Sequence, residues 1–114
     1  MANTFLNEQV QNVTTNADAA LGWSSIGSAV GSQQRAIIGL TVANTVSSVI
    51  SVNVVILNGS TRTYLVKDAP IPTGGALVVV GGDQKVVLDT GDVIQVKSNT
   101  ATSADVVMSM LDIT

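Results

Sequence analysis

The chain has 114 residues, the size of a single domain, and a net charge of −3. Only 11% of its residues are charged, whereas about 25% is usual for a soluble domain. A free monomer normally covers its surface with more charge than this, so we expect partner chains to cover much of the surface. The cations are scattered along the sequence, which argues against nucleic acid as a partner. They are Arg35, Arg62, Lys67, Lys85 and Lys97.

Histidine and cysteine are both absent from the sequence. Their absence removes the commonest general base, the usual transition-metal ligands and the nucleophilic triads that need histidine. We therefore expect a protein that is not an enzyme and that has no cofactor. The first eleven residues are polar, unlike a secretory signal. The longest apolar run, Ala76 to Val80, is far shorter than the roughly 20 residues of a membrane span, so we expect no membrane partner.

The sequence divides into two zones. Residues 1–34 are rich in polar and small side chains with weak periodicity, and we expect an extended N-terminal arm there. Residues 35–114 contain short apolar runs separated by turn residues, a pattern typical of a sandwich or barrel. Abundant valine, isoleucine and threonine also favour strands, because β-branched side chains fit a pleated surface. We predict an all-β, single-domain antiparallel β-sandwich or jelly roll of about seven or eight strands over this zone.

Alternation of side-chain type predicts the first strands of this domain. Ala36 to Ala43 has one apolar face and one small or mixed face, and a second strand begins at Ile50. Asn58-Gly59-Ser60 is a turn signal, because asparagine and glycine tolerate positive φ. Residues 61–67 are therefore predicted to return as the second strand of a hairpin.

The following strands are less regular. Pro70 and Pro72 lack an N–H group, which predicts a connection or a sheet edge. Residues 77–80 are too apolar for simple alternation and are predicted to be buried on both sides. Short strands are predicted at residues 85–88 and 93–98. The last strand, 105–113, is apolar on both faces, which is typical of a central strand or a subunit interface.

Three aspartates form a candidate cation site. Asp83, Asp89 and Asp92 lie close together at predicted turns, and carboxylates with turn carbonyls are ligands that Ca²⁺ prefers. Their spacing does not match an EF-hand loop, and aspartate is common in turns for local reasons. We favour solvated turns and expect no bound metal.

Six side chains are candidates for contacts with partner chains. Trp23 either anchors an interface, as tryptophan often does, or closes one end of the core. Met108 and Met110 are adaptable side chains that fit a contact surface or a core, with the core favoured. The candidate set is Phe5, Trp23, Val107, Met108, Met110 and Leu111.

Several segments carry a resemblance to a known family. They are Met1–Phe5, Ile38–Asn44, Tyr64–Gly75, Val79–Leu88, Thr90–Asp92 and Ser103–Ser109. Together they resemble small virion structural proteins of tailed bacteriophages, particularly those of marine bacteria and cyanobacteria. The resemblance is good over 35–114 and weak over the first dozen residues, and residues 17–34 depart from the family pattern. It implies a place in the virion, assembled in the host cytoplasm, and it carries over no catalytic residue.

The leading interpretation is a subunit that decorates or cements a capsid, with the major capsid protein or other virion proteins as partners and a homo-oligomer, a trimer by preference. A neck, tail or fibre component is the alternative. A carbohydrate-binding module on a host-recognition fibre is less favoured, because three aromatic residues leave little for stacking on sugars. A small cupin-like enzyme is disfavoured, since the histidines of its metal centre are missing.

Overall fold

A computed structural model describes residues 3–13, 23–27, 30–81, 85–100 and 103–113 of the chain. This described part contains nine strands. They are β1 (Asn3–Val13), β2 (Ser24–Ile26), β3 (Gln34–Asn44), β4 (Ile50–Asn58), β5 (Thr61–Ile71), β6 (Ala76–Val80), β7 (Val86–Leu88), β8 (Asp92–Ser98) and β9 (Ala104–Ile113).

The strands form two antiparallel sheets. The five-stranded sheet has the order β1-β9-β3-β6, and β7 pairs with the other end of β3; the four-stranded sheet has the order β2-β8-β4-β5. The all-β sandwich is therefore confirmed: seven strands, β3 to β9, lie in the zone predicted to form it, and β1 and β2 come from residues 1–34. Two segments of the predicted N-terminal arm, β1 and β2, pair with β9 and β8 of the same chain.

The core lies between the sheets, because strand side chains alternate and each sheet turns one apolar face inward. The strand β9 is central, between β1 and β3, as its two apolar faces predict. Its even-numbered residues are buried, whereas Val107 on the odd-numbered side is exposed. The largest core side chains are Ile26, Ile37, Leu40, Ile50, Ile71, Leu88, Ile94, Met108 and Met110.

The predicted hairpin after residue 58 is present. Asn58 pairs with Thr61, so β4 and β5 are joined by a turn of two residues. Gly59 has a φ of 62° at the first turn position, where a type II′ turn requires glycine. Tight connection of these strands sets the register of β5 at the edge of its sheet.

One prediction is wrong and another is confirmed. The segment 77–80 was predicted to be buried on both sides, but Val78 is 63% exposed. The reason is that Val78 lies on the outer face of its sheet, which also exposes Val107 on the central strand β9, and no second layer covers this face within the described residues. Pro70 lies within β5, which is the edge strand of the other sheet. A residue without an N–H group is tolerated there because one edge of the strand has no partner strand.

Candidate functional site

The outer face of the five-stranded sheet carries several exposed apolar side chains and very little charge. Its side chains come from the residues that alternate with the core positions of β1, β3, β6, β7 and β9. We call it the apolar face, defined by Phe5, Ile38, Val78, Val87, Val107 and Leu111. Among the described strand residues of this face, Asp105 is the one charged side chain.

The register places these apolar side chains in rows across the strands. Phe5 lies opposite Leu111, and Leu111 lies opposite Ala36 on β3. Phe5 is 74% exposed, so most of its ring has no cover within the described structure. An exposed phenylalanine on a neutral sheet face is typical of a surface that another protein covers.

A second row crosses the middle of the face. Val107 lies opposite Gln9 on one side and Thr41 on the other, and Thr41 lies opposite Val78. Val107 and Val78 are 48% and 63% exposed. The face therefore extends from the β1 edge to the β6 edge of the sheet.

Between the two rows the face has a depression of about 310 Å³. It lies where β3 carries a bulge next to Ile38, which has no partner of its own on β9. Gly39 pairs with Ser109 there. Because glycine has no side chain and the side chain of serine is small, the surface is lower at this point than around it. The depression is lined by Phe5, Leu6, Asn7, Ile38, Ser109 and Met110. Met110 is itself fully buried, so a partner side chain placed in this hollow would contact the other five lining residues.

The candidate interface residues fall into three groups. Phe5, Val107 and Leu111 lie on the apolar face. Met108 and Met110, although named with them, are fully buried core residues, because they occupy the inward positions of the same strand. They are unavailable to a partner while the fold is intact.

Trp23, the sixth candidate, lies away from the apolar face. It is half-buried beside the outer face of the four-stranded sheet, where its ring centroid is 6.3 Å from that of Tyr64. The Arg62 guanidinium and the Lys97 ammonium lie 5.3 and 5.4 Å from the Trp23 centroid. Trp23 is therefore neither a core plug nor part of the apolar face.

The side chains around Trp23 form a second surface feature. Lys67 lies 5.6 Å from the Tyr64 ring centroid, which adds a third cation to the group. We call Trp23, Arg62, Tyr64, Lys67 and Lys97 the cationic cluster. Sequence inspection missed it because its members come from three separate segments, and the register of β5 and β8 on either side of β4 brings them together.

A buried ion pair joins β3 to β9 at one end of the core. Arg35 donates from Nε to Oδ1 of Asp112 at 2.6 Å and from Nη2 to Oδ2 at 3.1 Å. This hydrogen bonding holds the pKa of the Asp112 carboxyl below its usual value and raises the pKa of Arg35. Both residues are 9% exposed. The pair secures the register of the two central strands.

Two of the three aspartates considered as a Ca²⁺ site, Asp89 and Asp92, lie at the turn before β8. Asp92 accepts hydrogen bonds from the side chain of Asn58 at 2.5 Å and from the backbone N–H of Asp89 at 3.0 Å. Asp83 lies outside the described residues. Within the described ranges there is no group of three or more potential metal ligands. The observed bonds of Asp92 are those of a turn aspartate.

Comparison with known proteins finds a weak structural similarity. No protein-family model and no curated protein matches this chain. A similar solved structure belongs to the Bacillus endospore appendages, a family of disulfide-linked pili; it is 16% identical, with a TM-score of 0.47, over 100% of this chain and 91% of that chain. This chain itself contains no cysteine. The described part of the chain holds no helix with the length and hydrophobicity needed to cross a membrane.

Proposed function

We propose that this protein is a structural subunit of a bacteriophage virion, and that it decorates or cements the capsid through protein–protein contacts. The observation that carries the proposal is the apolar face. It presents exposed Phe5, Val78 and Val107 on one flat sheet surface with very little charge. A protein that stayed monomeric would leave this apolar area in water.

The size of the effect is sufficient for assembly. Full burial of a phenylalanine or valine side chain contributes about 1.5–3 kcal/mol, so covering the exposed part of Phe5 alone contributes about 1–2 kcal/mol. Several such side chains on each subunit, repeated over a symmetric shell, add together through multivalency. Weak single contacts are then enough to hold a shell joint.

The edge strand β1 offers a second mode of contact. Within the described residues it pairs only with β9, which leaves its other edge without a strand. The strand spans Asn3–Val13, contains no proline and has Glu8 as its one charged residue. Proteins usually protect such a long edge with charge or proline, and an extended segment of another chain is able to pair with it.

The sequence supports a role without catalysis. Histidine and cysteine are absent. Among the described residues, the buried ionisable side chains are Arg35 and Asp112, and these two form an ion pair with each other across two strands. The same proposal includes assembly into a homo-oligomer, with a trimer favoured, and contacts with the major capsid protein. A neck, tail or fibre position uses the same surface and is the alternative.

Copy number in the particle tests this proposal. Quantitative mass spectrometry of purified virions from the phage that encodes the chain should find it as a stoichiometric component. A number near that of the major capsid protein supports the shell position, and about a dozen copies would move the proposal to the neck or tail. Absence from intact particles would overturn it.

A further inference from the structure

The cationic cluster has a distribution of charge that the assembly role does not require. Three of the chain's five cations, Arg62, Lys67 and Lys97, lie over two of its three aromatic rings. They share one sheet face in a protein whose net charge is −3. A local reversal of the overall charge is a reason to look for an anionic ligand.

The members of this cluster are held in place before any ligand binds. Arg62 donates from Nε to Oε1 of Gln95 at 3.0 Å, and Gln95 donates from Nε2 to Oγ of Ser25 at 3.1 Å. Gln95 is buried, so this chain of hydrogen bonds fixes the guanidinium against the sheet. Its bond to Gln95 uses Nε, which leaves the two terminal amino groups for an oxyanion.

No carboxylate of the described residues neutralises these cations. The ion pair found in the described ranges is Arg35 with Asp112, in the other sheet. The neighbouring Asp68 lies at a bulge of β5, where its backbone N–H donates to Oδ1 of Asn53 and its φ is 50°. The aromatic faces attract each ammonium or guanidinium, and none of the three cations belongs to an ion pair within the described ranges.

The chemistry around the cations indicates the class of ligand. Three cations on a net-acidic protein are few for a nucleic acid, whose binding proteins commonly neutralise about 6–10 phosphates. Tyr64 is 47% exposed, and an aromatic ring of this kind packs well against the C–H face of a pyranose. The hydroxyl of Ser25 lies on the same face. Cations, an aromatic ring and hydroxyl groups together suit a sugar that also carries carboxylates.

We propose that the cationic cluster binds an acidic polysaccharide, a polymer of pyranose sugars with carboxylate groups. Arg62 takes one carboxylate in a bidentate bond, Lys67 and Lys97 take others as point charges, and Tyr64 supports a sugar ring. This site is independent of the apolar face, which lies on the opposite side of the sandwich. A subunit that uses both faces would attach to its assembly on one side and present the other to an acidic glycan.

The intrinsic fluorescence of the protein reports this binding, because Trp23 is the only tryptophan in the chain and lies inside the cluster. Titration with polygalacturonate should change the Trp23 emission in a saturable way, and added NaCl should weaken the effect. Neutral dextran should cause no change. The full-length protein is used throughout.

The test variant is Lys67→Gln combined with Lys97→Gln, which keeps the bond between Arg62 and Gln95 and so should keep the fold. We expect affinity for polygalacturonate to fall at least about tenfold, since two charge-assisted contacts are lost. Lys85→Gln removes one exposed cation outside the cluster and should bind like the original protein.

Three results would overturn this proposal. They are failure of the original protein to bind polygalacturonate, equal affinity of the double variant and Lys85→Gln, and saturable binding of single-stranded DNA without binding of polygalacturonate. Each is separate from the virion proposal, because particle copy number does not depend on the glycan titration.

Discussion

Val107 allows the clearest test of the apolar face, because it is exposed at the middle of the central strand β9. Val107→Asp places a carboxylate between Gln9 and Thr41. The side chain at 107 is 48% exposed, so the carboxylate remains hydrated in the monomer and we expect the free energy of unfolding to change by less than about 1 kcal/mol.

The effect on association should be much larger. Covering the exposed half of a valine contributes about 1 kcal/mol, and this contribution is lost. A carboxylate that an interface strips of water without a partner adds a penalty of several kcal/mol. Since about 1.4 kcal/mol corresponds to a tenfold change in affinity, the contact should weaken by at least about a hundredfold.

Sedimentation velocity over a range of protein concentrations measures this change, with thermal unfolding as the check on the fold. The matched control is Val49→Asp, because Val49 is 60% exposed but lies in the loop before β4, away from the apolar face. We expect the control to associate like the original protein. If Val107→Asp associates as well as Val49→Asp, or if the original protein is strictly monomeric at all concentrations, the reasoning about this face is wrong.

Three further predictions concern the fold. Met108→Ala should lower the free energy of unfolding by about 2–5 kcal/mol, since the substitution opens a cavity in the core. Denaturant titration measures this loss, and a loss below about 1 kcal/mol would contradict the assignment of Met108 to the core. Asp112→Asn should lower the free energy of unfolding by about 3 kcal/mol at neutral pH, because it removes the carboxylate of the buried ion pair with Arg35. The pKa of Asp112 is lowered in the folded protein, so the stabilisation by this carboxylate is present above about pH 5 and is lost as the pH falls below the ordinary pKa range of an aspartate. Urea titrations at a series of acidic pH values should therefore show a smaller loss of stability with falling pH for Asp112→Asn than for the original protein. An identical pH dependence of the two proteins would refute the role of the pair. Asn44→Ala should lower the free energy of unfolding by about 2 kcal/mol and also lower the melting temperature, because the side chain of the buried Asn44 donates to the carbonyls of Ser48 and Ile71. An unchanged melting temperature would show that these bonds contribute nothing.

Local sequence was sufficient for most of the strands. In β3, and in β4 from Ile50 to Val54, large apolar side chains are buried and most of the residues between them are half-buried, because each strand has one face against the core. The turn at Asn58-Gly59-Ser60 followed from the backbone preference of glycine. The two apolar faces of β9 correctly predicted a central strand.

The prediction for residues 77–80 was wrong for a physical reason. An apolar run has the same sequence whether a packed layer covers one of its faces or both. Whether a layer covers the outer face of β6 is a property of the whole fold, and within the described residues that face of the five-stranded sheet is uncovered. Local composition therefore could not show that Val78 would be exposed.

The sequence by itself determined the composition of the surface and the class of fold, because low charge and β-branched alternation are local properties of the chain. Only the tertiary structure decided which apolar residues of β9 face the core and which face solvent, so it alone separates Val107 from Met108. It also decided that Trp23 lies near Tyr64, since that contact depends on the pairing of β2, β8, β4 and β5 across the sheet. Contacts between residues far apart in sequence arise from strand register, which is set by the packing of the complete sandwich.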